Sequence, residues 1–291
     1  MTPEANHFQK EGKSLGVEEL KDLILTNEQY KDQPFAHAEG ERIYTFELTN
    51  GQKKILYFGS AHTNNPDDPI FEDIKKRFDE LDPEIVYVEG WRSINDKKDA
   101  VREGAKNFSL EETKSEGESH FTLKLAVDAD ADFESPEPES SQEITYLIQK
   151  GFSKKDIFFY YIYRDIDQYQ RQNKERSAEE CKKYLKPYFK GMRRDSGWDD
   201  IELDALEQEV LTDLDVDDPE KYHAQVDPIP WEGKPQTVLN EISRNSNNFR
   251  DRYIFERIAD GLNKYDRLFI VYGSAHAVKQ EPALRALLEN I

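Results

Sequence analysis

Cysteine is nearly absent from this 291-residue chain, which contains one, Cys181. A single thiol cannot close an internal disulfide or build a zinc site of thiolates, so the composition excludes a disulfide-stapled domain. The surrounding segment, SAEECKKYL, contains no candidate base, which argues against a cysteine nucleophile. The cysteine content is typical of a reducing compartment, and we expect a cytoplasmic protein.

Long apolar runs are also missing, and basic residues are outnumbered. No stretch approaches the roughly 18 apolar residues that a membrane-spanning helix needs, and the N-terminal residues lack the pattern of a signal peptide. Forty Lys and Arg against 60 Asp and Glu give a formal net charge of −20. Phosphate backbones and anionic lipids repel such a chain, so we expect neither nucleic acid nor a membrane as its partner.

Aromatic residues, by contrast, are plentiful. The 15 Tyr and 16 Phe exclude global disorder, because disordered chains are poor in aromatics. The length suffices for a sizeable hydrophobic core. We therefore expect residues 1–291 to form a single domain.

The first third of the chain has the pattern of a parallel sheet. Residues 41–48 and 53–59 predict two strands joined by the Asn50-Gly51 turn, which is typical of a hairpin. Residues 70–81 have apolar side chains at helical spacing, and residues 84–90 follow as a buried strand. Strand, helix and strand within so short a stretch predict a right-handed βαβ unit.

The rest of the chain is mainly helical. The pattern of residues 17–30 predicts one short helix, and that of residues 123–133 predicts a third strand. Residues 142–215 are predicted to form a large helical insertion or cap. Residues 216–236 contain four prolines and predict a connector, before a helix over 237–265, a strand over 267–273 and a terminal helix over 281–291. The predicted fold class is α/β, with a mostly parallel central sheet flanked by helices and a large helical insertion.

The tetrapeptide Gly-Ser-Ala-His ends two of the predicted strands. Residues 57–62 read YFGSAH and residues 271–276 read VYGSAH. Ligands of open α/β sheets bind at the carboxyl ends of the strands. If both strands belong to one parallel sheet, His62 and His276 face the same mouth. The alternative is that both histidines cap backbone carbonyls and serve structure alone.

Glu89 ends the strand EIVYVEG at the same predicted edge. A buried carboxylate without a partner is costly, so we expect either an ion pair with Arg or Lys or a place in the same polar site. Two histidines and a glutamate can hold a divalent metal with open positions for water. Alternatively, one histidine is a general base that the glutamate orients. The sequence leaves both interpretations open.

Arg250 and several acidic residues complete the set of candidates. Arg250, in NNFRDRYIFERIADGL, is placed near the start of its helix, where its guanidinium could hold Glu89 or stabilise an anionic transition state. A surface ion pair is the plainer interpretation of an Arg-Asp neighbour pair. A second group of residues could supply additional ligands, although a solvated loop is the plainer interpretation of them: His120, Asp130, Asp132 and Glu134.

Together these motifs resemble the TIKI/TraB family, which is grouped with erythromycin esterases and ChaN-like haem-binding proteins. The resemblance rests on GSAHT, VYVEG, FRDRYIFERI and IVYGSAHA, and covers residues 55–91 and 240–285. It implies a parallel α/β core with a helical insertion. The TIKI branch implies a metal-dependent protease with His62, Glu89 and His276 around the metal. The esterase branch implies histidine-activated water, and the TraB branch a peptide signal as target.

The leading hypothesis is a hydrolase that cleaves amide or ester bonds in a small-molecule or peptide substrate. His62 would be a metal ligand or general base, Glu89 a ligand or orienting group, His276 a third ligand, and Arg250 the stabiliser of the oxyanion. The metal would be Mn, Co, Zn or Fe. The alternative is a ChaN-like protein that binds haem, iron or a peptide without catalysis.

Overall fold

The computed structural model of the protein describes residues 15–37, 43–90, 92–172, 177–198, 201–229 and 231–291. A five-stranded sheet lies at its centre, formed by β1 (Tyr44–Asn50), β2 (Lys53–Ser60), β3 (Ile85–Val88), β4 (Asp132–Glu134) and β5 (Arg267–Gly273). The strand order is β1-β2-β5-β3-β4. Strand β1 is antiparallel to β2, whereas the β2–β5, β5–β3 and β3–β4 pairs are parallel. The predicted α/β class with a mostly parallel sheet is confirmed.

Helices make up most of the remaining described chain. Those N-terminal to the helical region are α1 (Val17–Lys21), α2 (Asn27–Lys31), α3 (Ile70–Leu81), α4 (Lys98–Ala105), α5 (Leu110–Lys114) and α6 (Glu118–Asp128). The others are α7 (Ser140–Gln149), α8 (Lys154–Gln172), α9 (Ala178–Ser196), α10 (Leu203–Thr212), α11 (Pro219–Val226), α12 (Val238–Leu262) and α13 (Ser274–Glu289). Within the described residues, no helix combines the length and apolar character needed to cross a membrane.

The sheet is covered on both faces by helices. One face packs side chains such as Tyr57 and Ile270 against α12, α13 and α1. The other face packs Phe58 and Phe269 against α3 and α6. Because both faces are covered, the central strands contain unbroken runs of buried apolar residues over 55–58, 85–88 and 268–272.

The predicted helical region is confirmed, and it has a core of its own. Helices α7 to α11 enclose a cluster of buried aromatic and aliphatic side chains that includes Phe158, Tyr160 and Leu185. Helix α12 joins this cluster to the sheet. Its first residues, Leu239 and Ile242, pack into the helical cluster, and its later residues pack on the sheet. The middle of α12 therefore lies where the helical region meets the sheet.

The predicted strand over residues 123–133 is wrong over most of its length. Residues 118–128 form α6, and only Asp132–Glu134 are a strand. All residues from Phe121 to Ala126 are buried. A helix that is buried on all sides shows no polar face, so its sequence lacks the helical period.

Three other boundaries differ from the prediction. Residues 17–30 form two helices, because Thr26 caps α2 with its side chain and starts a new one. The connector over 216–236 contains α11, which begins at Pro219, a residue suited to the first turn of a helix. Helix α13 begins at Ser274 rather than at residue 281, so it contains Pro282.

Candidate functional site

The carboxyl ends of the parallel strands bring the predicted site residues together. His62 follows β2, Glu89 directly follows β3, and His276 lies in the first turn of α13, after β5. Because β5 lies between β2 and β3, the groups that follow these three strands meet at one edge of the sheet. Arg250 reaches the same edge from the middle of α12, not from near its start as expected.

Glu89 lies at the centre of this group. Its Oε2 is 3.6 Å from Nε2 of His62, and its Oε1 is 3.9 Å from Nε2 of His276 and 3.6 Å from Nη2 of Arg250. The backbone N–H of Gly273 donates to Oε2 at 2.6 Å. Burial raises the pKa of Glu89, but the charges of the two histidines and Arg250, with the Gly273 hydrogen bond, outweigh it and lower the pKa to about 2. Glu89 is therefore an anion at neutral pH.

The two glycines of the repeated motif are required for different reasons. A Cβ on Gly59 would lie 2.5 Å from the carbonyl oxygen of Tyr44 and 2.8 Å from Cα of Ser274, both in the backbone. A Cβ on Gly273 would instead lie 2.6 Å from Nε2 of His62 and 3.3 Å from Oε2 of Glu89. Gly59 permits the close packing of β1, β2 and α13, whereas Gly273 leaves room for the site itself.

His276 is held by a partner that the sequence analysis missed. Its Nδ1 lies 2.5 Å from Oδ1 of Asp251, which is fully buried and also pairs with Lys279. Burial raises the pKa of Asp251, but the charges of Lys279 and His276 dominate and lower it. The ionised Asp251 is an acceptor for an N–H at Nδ1 of His276, and the Nε2 atom of the same ring faces Glu89. The Arg-Asp neighbour pair in the sequence was the available signal.

Glu137 is a second residue that the sequence analysis missed. It belongs to the buried segment Ser135–Pro138 after β4, and it accepts hydrogen bonds from Nε of Arg250 at 2.9 Å and from Nη2 at 2.6 Å. This two-point contact fixes the plane of the guanidinium. Within the described chain, Nη1 of Arg250 makes no hydrogen bond. Glu137 thus fixes the position of Arg250, and the ion pair that the two residues form lies in the interior rather than at the surface.

His62 differs from His276 in exposure and backbone. Its side chain is 58% exposed, whereas that of His276 is 11% exposed. Its φ of 60° lies in the left-handed region, which is unfavourable for a residue other than glycine. Such a conformation persists where the surrounding structure enforces it, often at functional sites.

The other candidate ligands lie elsewhere. Asp132 pairs with Lys98 and Glu134 with Arg257. Asp132 is the first residue of β4 and pairs with Ile85, the first residue of β3. It therefore lies at the amino ends of the parallel strands, whereas the site lies at their carboxyl ends. Asp130 lies before that strand, and His120 lies on α6, where burial lowers its pKa. The buried Cys181 belongs to the helical core, and burial raises its pKa to about 11.

The carboxylate of Glu89, which a metal ion in this site would need, already has other partners. Its Oε2 accepts the N–H of Gly273, and its Oε1 lies 3.6 Å from Nη2 of the cationic Arg250, so a metal ion bound there would lie close to a fixed positive charge. Over the described ranges, no three His, Cys, Asp or Glu side chains are arranged to hold a metal ion. The metal expected from the sequence stays a prediction.

Comparison with known proteins adds no relative. No protein-family model, no curated protein and no solved structure matches this chain. The resemblance to the TIKI/TraB family stays a prediction that rests on the motifs of the sequence.

Proposed function

We propose that this protein is a hydrolase of ester or amide bonds in which His276 activates water. The observation that carries the proposal is the contact between Asp251 and Nδ1 of His276. The other ring nitrogen of His276, Nε2, lies 3.9 Å from Oε1 of the ionised Glu89. A carboxylate that accepts the Nδ1–H of a histidine holds the ring in place and stabilises its protonated form. His276 is therefore suited to take a proton from a bound molecule.

The space between His276 and Glu89 suits a water molecule. A water that bridges two polar atoms 3.9 Å apart can donate one proton to each of them. Its oxygen bonds to the carbonyl carbon of the substrate while His276 takes one of its protons. Glu89, already ionised, orients the water and offsets the charge that forms on His276.

Arg250 and His62 are placed to serve the other half of the reaction. Fixed by Glu137, Arg250 can aim its Nη1 at the developing oxyanion, which a fixed cation stabilises strongly in a low-dielectric site. When the intermediate collapses, the bond to the leaving oxygen or nitrogen breaks, and that atom takes a proton from the exposed His62, which enters the reaction protonated. His276 then releases to solvent the proton that it took from water, and His62 regains a proton from solvent, so that both imidazoles are restored. The products are a carboxylic acid and an alcohol or amine.

The sequence resemblance, the net charge and the cysteine content support the proposed substrate class and compartment. The resemblance to TIKI/TraB and erythromycin esterases supports a small-molecule or peptide substrate. The net charge of −20 disfavours polyanions. The single, buried Cys181 is consistent with a cytoplasmic protein.

The first test is a screen of chromogenic esters and fluorogenic peptides, run with EDTA and with added Mn, Co, Zn or Fe. We expect turnover by the wild type, and a loss of about a hundredfold or more in His276→Ala. His223→Gln, which changes a histidine in the helical region, is the matched control. Equal turnover in wild type and His276→Ala would contradict the proposal. Turnover that appears only with metal would favour the metal-dependent form of the hydrolase.

A binding protein of the ChaN type is the second candidate. The observation that favours it is the exposed imidazole of His62, whose Nε2 lies 3.6 Å from Oε2 of Glu89, beyond hydrogen-bond distance. Such a nitrogen could bind haem iron or another metal. Haem titration should then give a Soret band in the wild type that His62→Ala lacks, with no product formed from any ester or peptide.

A further inference from the structure

The loop that carries His62 is held by a carboxylate outside the site. The backbone N–H of Thr63, the residue after His62, donates to Oε1 of Glu118 at 2.8 Å. Glu118 is the first residue of α6 and is only 5% exposed. The contact therefore joins a buried side chain to the backbone immediately next to His62.

Burial of Glu118 needs an explanation, because a buried carboxylate without a cation is costly. In the described part of the chain, no Lys, Arg or His pairs with it, and Thr63 supplies its hydrogen bond. The N-terminal end of α6 favours a negative charge but does not require one there. Gly117 precedes Glu118 with a φ of 93°, and a Cβ at that glycine would lie 3.4 Å from the carbonyl oxygen of Thr63. The turn before α6 is thus fitted closely to the loop.

The contact is placed where the backbone is unfavourable. His62 has a φ of 60°, and its exposed ring has little packing to hold it. A left-handed conformation costs about 1 kcal/mol or more for such a residue, so a neighbouring contact must enforce it. A hydrogen bond to the N–H of Thr63 restrains the peptide unit that follows His62, and with it the ψ angle of His62.

We propose that Glu118 is a positioning residue, which locks the backbone at His62 and Thr63 so that the imidazole faces Glu89. This inference rests on the proposed function for its catalytic consequence, but not for its structural content. Among the described residues, Glu118 makes no hydrogen bond or ion pair with Glu89, His276 or Arg250. It acts through His62.

The first measurement compares Glu118→Gln with Glu118→Leu. Glutamine keeps an oxygen that can accept the Thr63 N–H, whereas leucine removes it and keeps a similar volume. Amide hydrogen exchange at Thr63 should stay within about threefold of the wild type in Glu118→Gln and become tenfold or more faster in Glu118→Leu. Crystal structures of the two variants should show His62 beside Glu89 in the first and turned away in the second. Unchanged exchange and an unmoved His62 in Glu118→Leu would overturn the proposal.

The second measurement uses turnover of the best substrate. Glu118→Leu should lower kcat by about tenfold or more with little change in KM, and Glu118→Gln should restore it. In a His62→Ala background, Glu118→Leu should cause no further loss, because both changes remove the same group from the site. Additive losses would show that Glu118 acts on overall stability instead and would overturn the proposal. If no substrate is turned over, the proposed hydrolase fails, while exchange at Thr63 still decides the role of Glu118.

Discussion

At the scale of single residues, Glu137 and Arg250 carry opposite charges in a buried setting. Glu137 is 4% exposed, and its carboxylate accepts both the Nε and Nη2 hydrogens of Arg250. Removing one member of a buried ion pair leaves the other charge without compensation, which typically costs about 3–5 kcal/mol. In such a variant Oε1 of Glu89 still lies 3.6 Å from Nη2 of Arg250, and its negative charge offsets only part of the lost stability.

We therefore expect Glu137→Ala to lower the free energy of unfolding by about 3 kcal/mol. Urea denaturation followed by circular dichroism measures this change. Glu80→Ala removes a carboxylate that is 62% exposed and serves as the matched control, with an expected change within about 0.5 kcal/mol. A Glu137→Ala variant as stable as the control would show that the pair is not structurally important.

Glu89 makes the stability of the folded protein depend on pH, and the direction of the change can be predicted. Its pKa in the folded protein is about 2, below the ordinary value of 4.5, because the neighbouring positive charges favour the anion. A depressed pKa adds stability above the unfolded value, and that stability is lost as the pH falls from about 4.5 towards 2. The contribution is on the order of 3 kcal/mol at neutral pH.

Comparison of the wild type with Glu89→Gln isolates this contribution. The wild type should be more stable than the variant at pH 7, and the difference should shrink as the pH is lowered to about 3. Urea denaturation at several pH values measures it. A difference that does not depend on pH would mean that Glu89 has an ordinary pKa in the folded protein.

At the scale of elements, the repeated Gly-Ser-Ala-His motif predicts two different mutant phenotypes. A methyl group on Gly59 would meet the backbone of Tyr44 and Ser274, which cannot move without displacing β1 or α13. We expect Gly59→Ala to destabilise the protein by about 1–3 kcal/mol or more. A methyl group on Gly273 meets the ring of His62, an exposed side chain that can turn aside.

Gly273→Ala should therefore leave the melting temperature nearly unchanged and lower turnover. Differential scanning calorimetry and a kinetic assay on both variants separate the two effects. The same loss of stability in both variants would contradict the assignment of Gly59 to packing and Gly273 to the site.

The sequence was sufficient to predict the elements whose pattern is local. The Asn50-Gly51 hairpin, α3 and β3 follow from turn chemistry and apolar spacing, and the structure confirms them. Helix α6 could not be recognised, because its burial against α3, α4 and the sheet removes the polar face that marks a helix. Helix α13 begins at Ser274, before the predicted residue 281, and Pro282 lies inside it, although proline is favoured in the first turn of a helix.

At the scale of the whole molecule, the site depends on packing between distant segments. His62, Glu89 and His276 could be placed together from the sequence, since parallel strands end at one edge. Asp251 reaches His276 only because α12 packs against α13, and Glu137 reaches Arg250 only because the segment after β4 crosses α12. The Arg-Asp neighbour pair points to Asp251 but not to its contact with His276, and no local pattern marks the contact of Glu137 with Arg250. The sequence therefore predicts the centre of the site but not the residues that hold it.

The net charge of −20 affects the stability of the whole molecule. Like charges in a compact state repel each other, and added salt screens that repulsion. Exposed ion pairs also weaken in salt, but each contributes little. We expect the melting temperature to rise by a few degrees between 20 mM and 500 mM NaCl, as measured by calorimetry. A falling melting temperature would mean that the surface ion pairs outweigh the general repulsion.

The central claim is that Asp251 and His276 act together to activate water, and Asp251→Asn tests it most directly. Asparagine has nearly the same shape but lacks the charge that stabilises the protonated His276. On the best substrate of the wild type, we predict that kcat/KM falls by about a thousandfold, while the variant remains folded. A folded Asp251→Asn variant with kcat/KM within about threefold of the wild type would contradict the account.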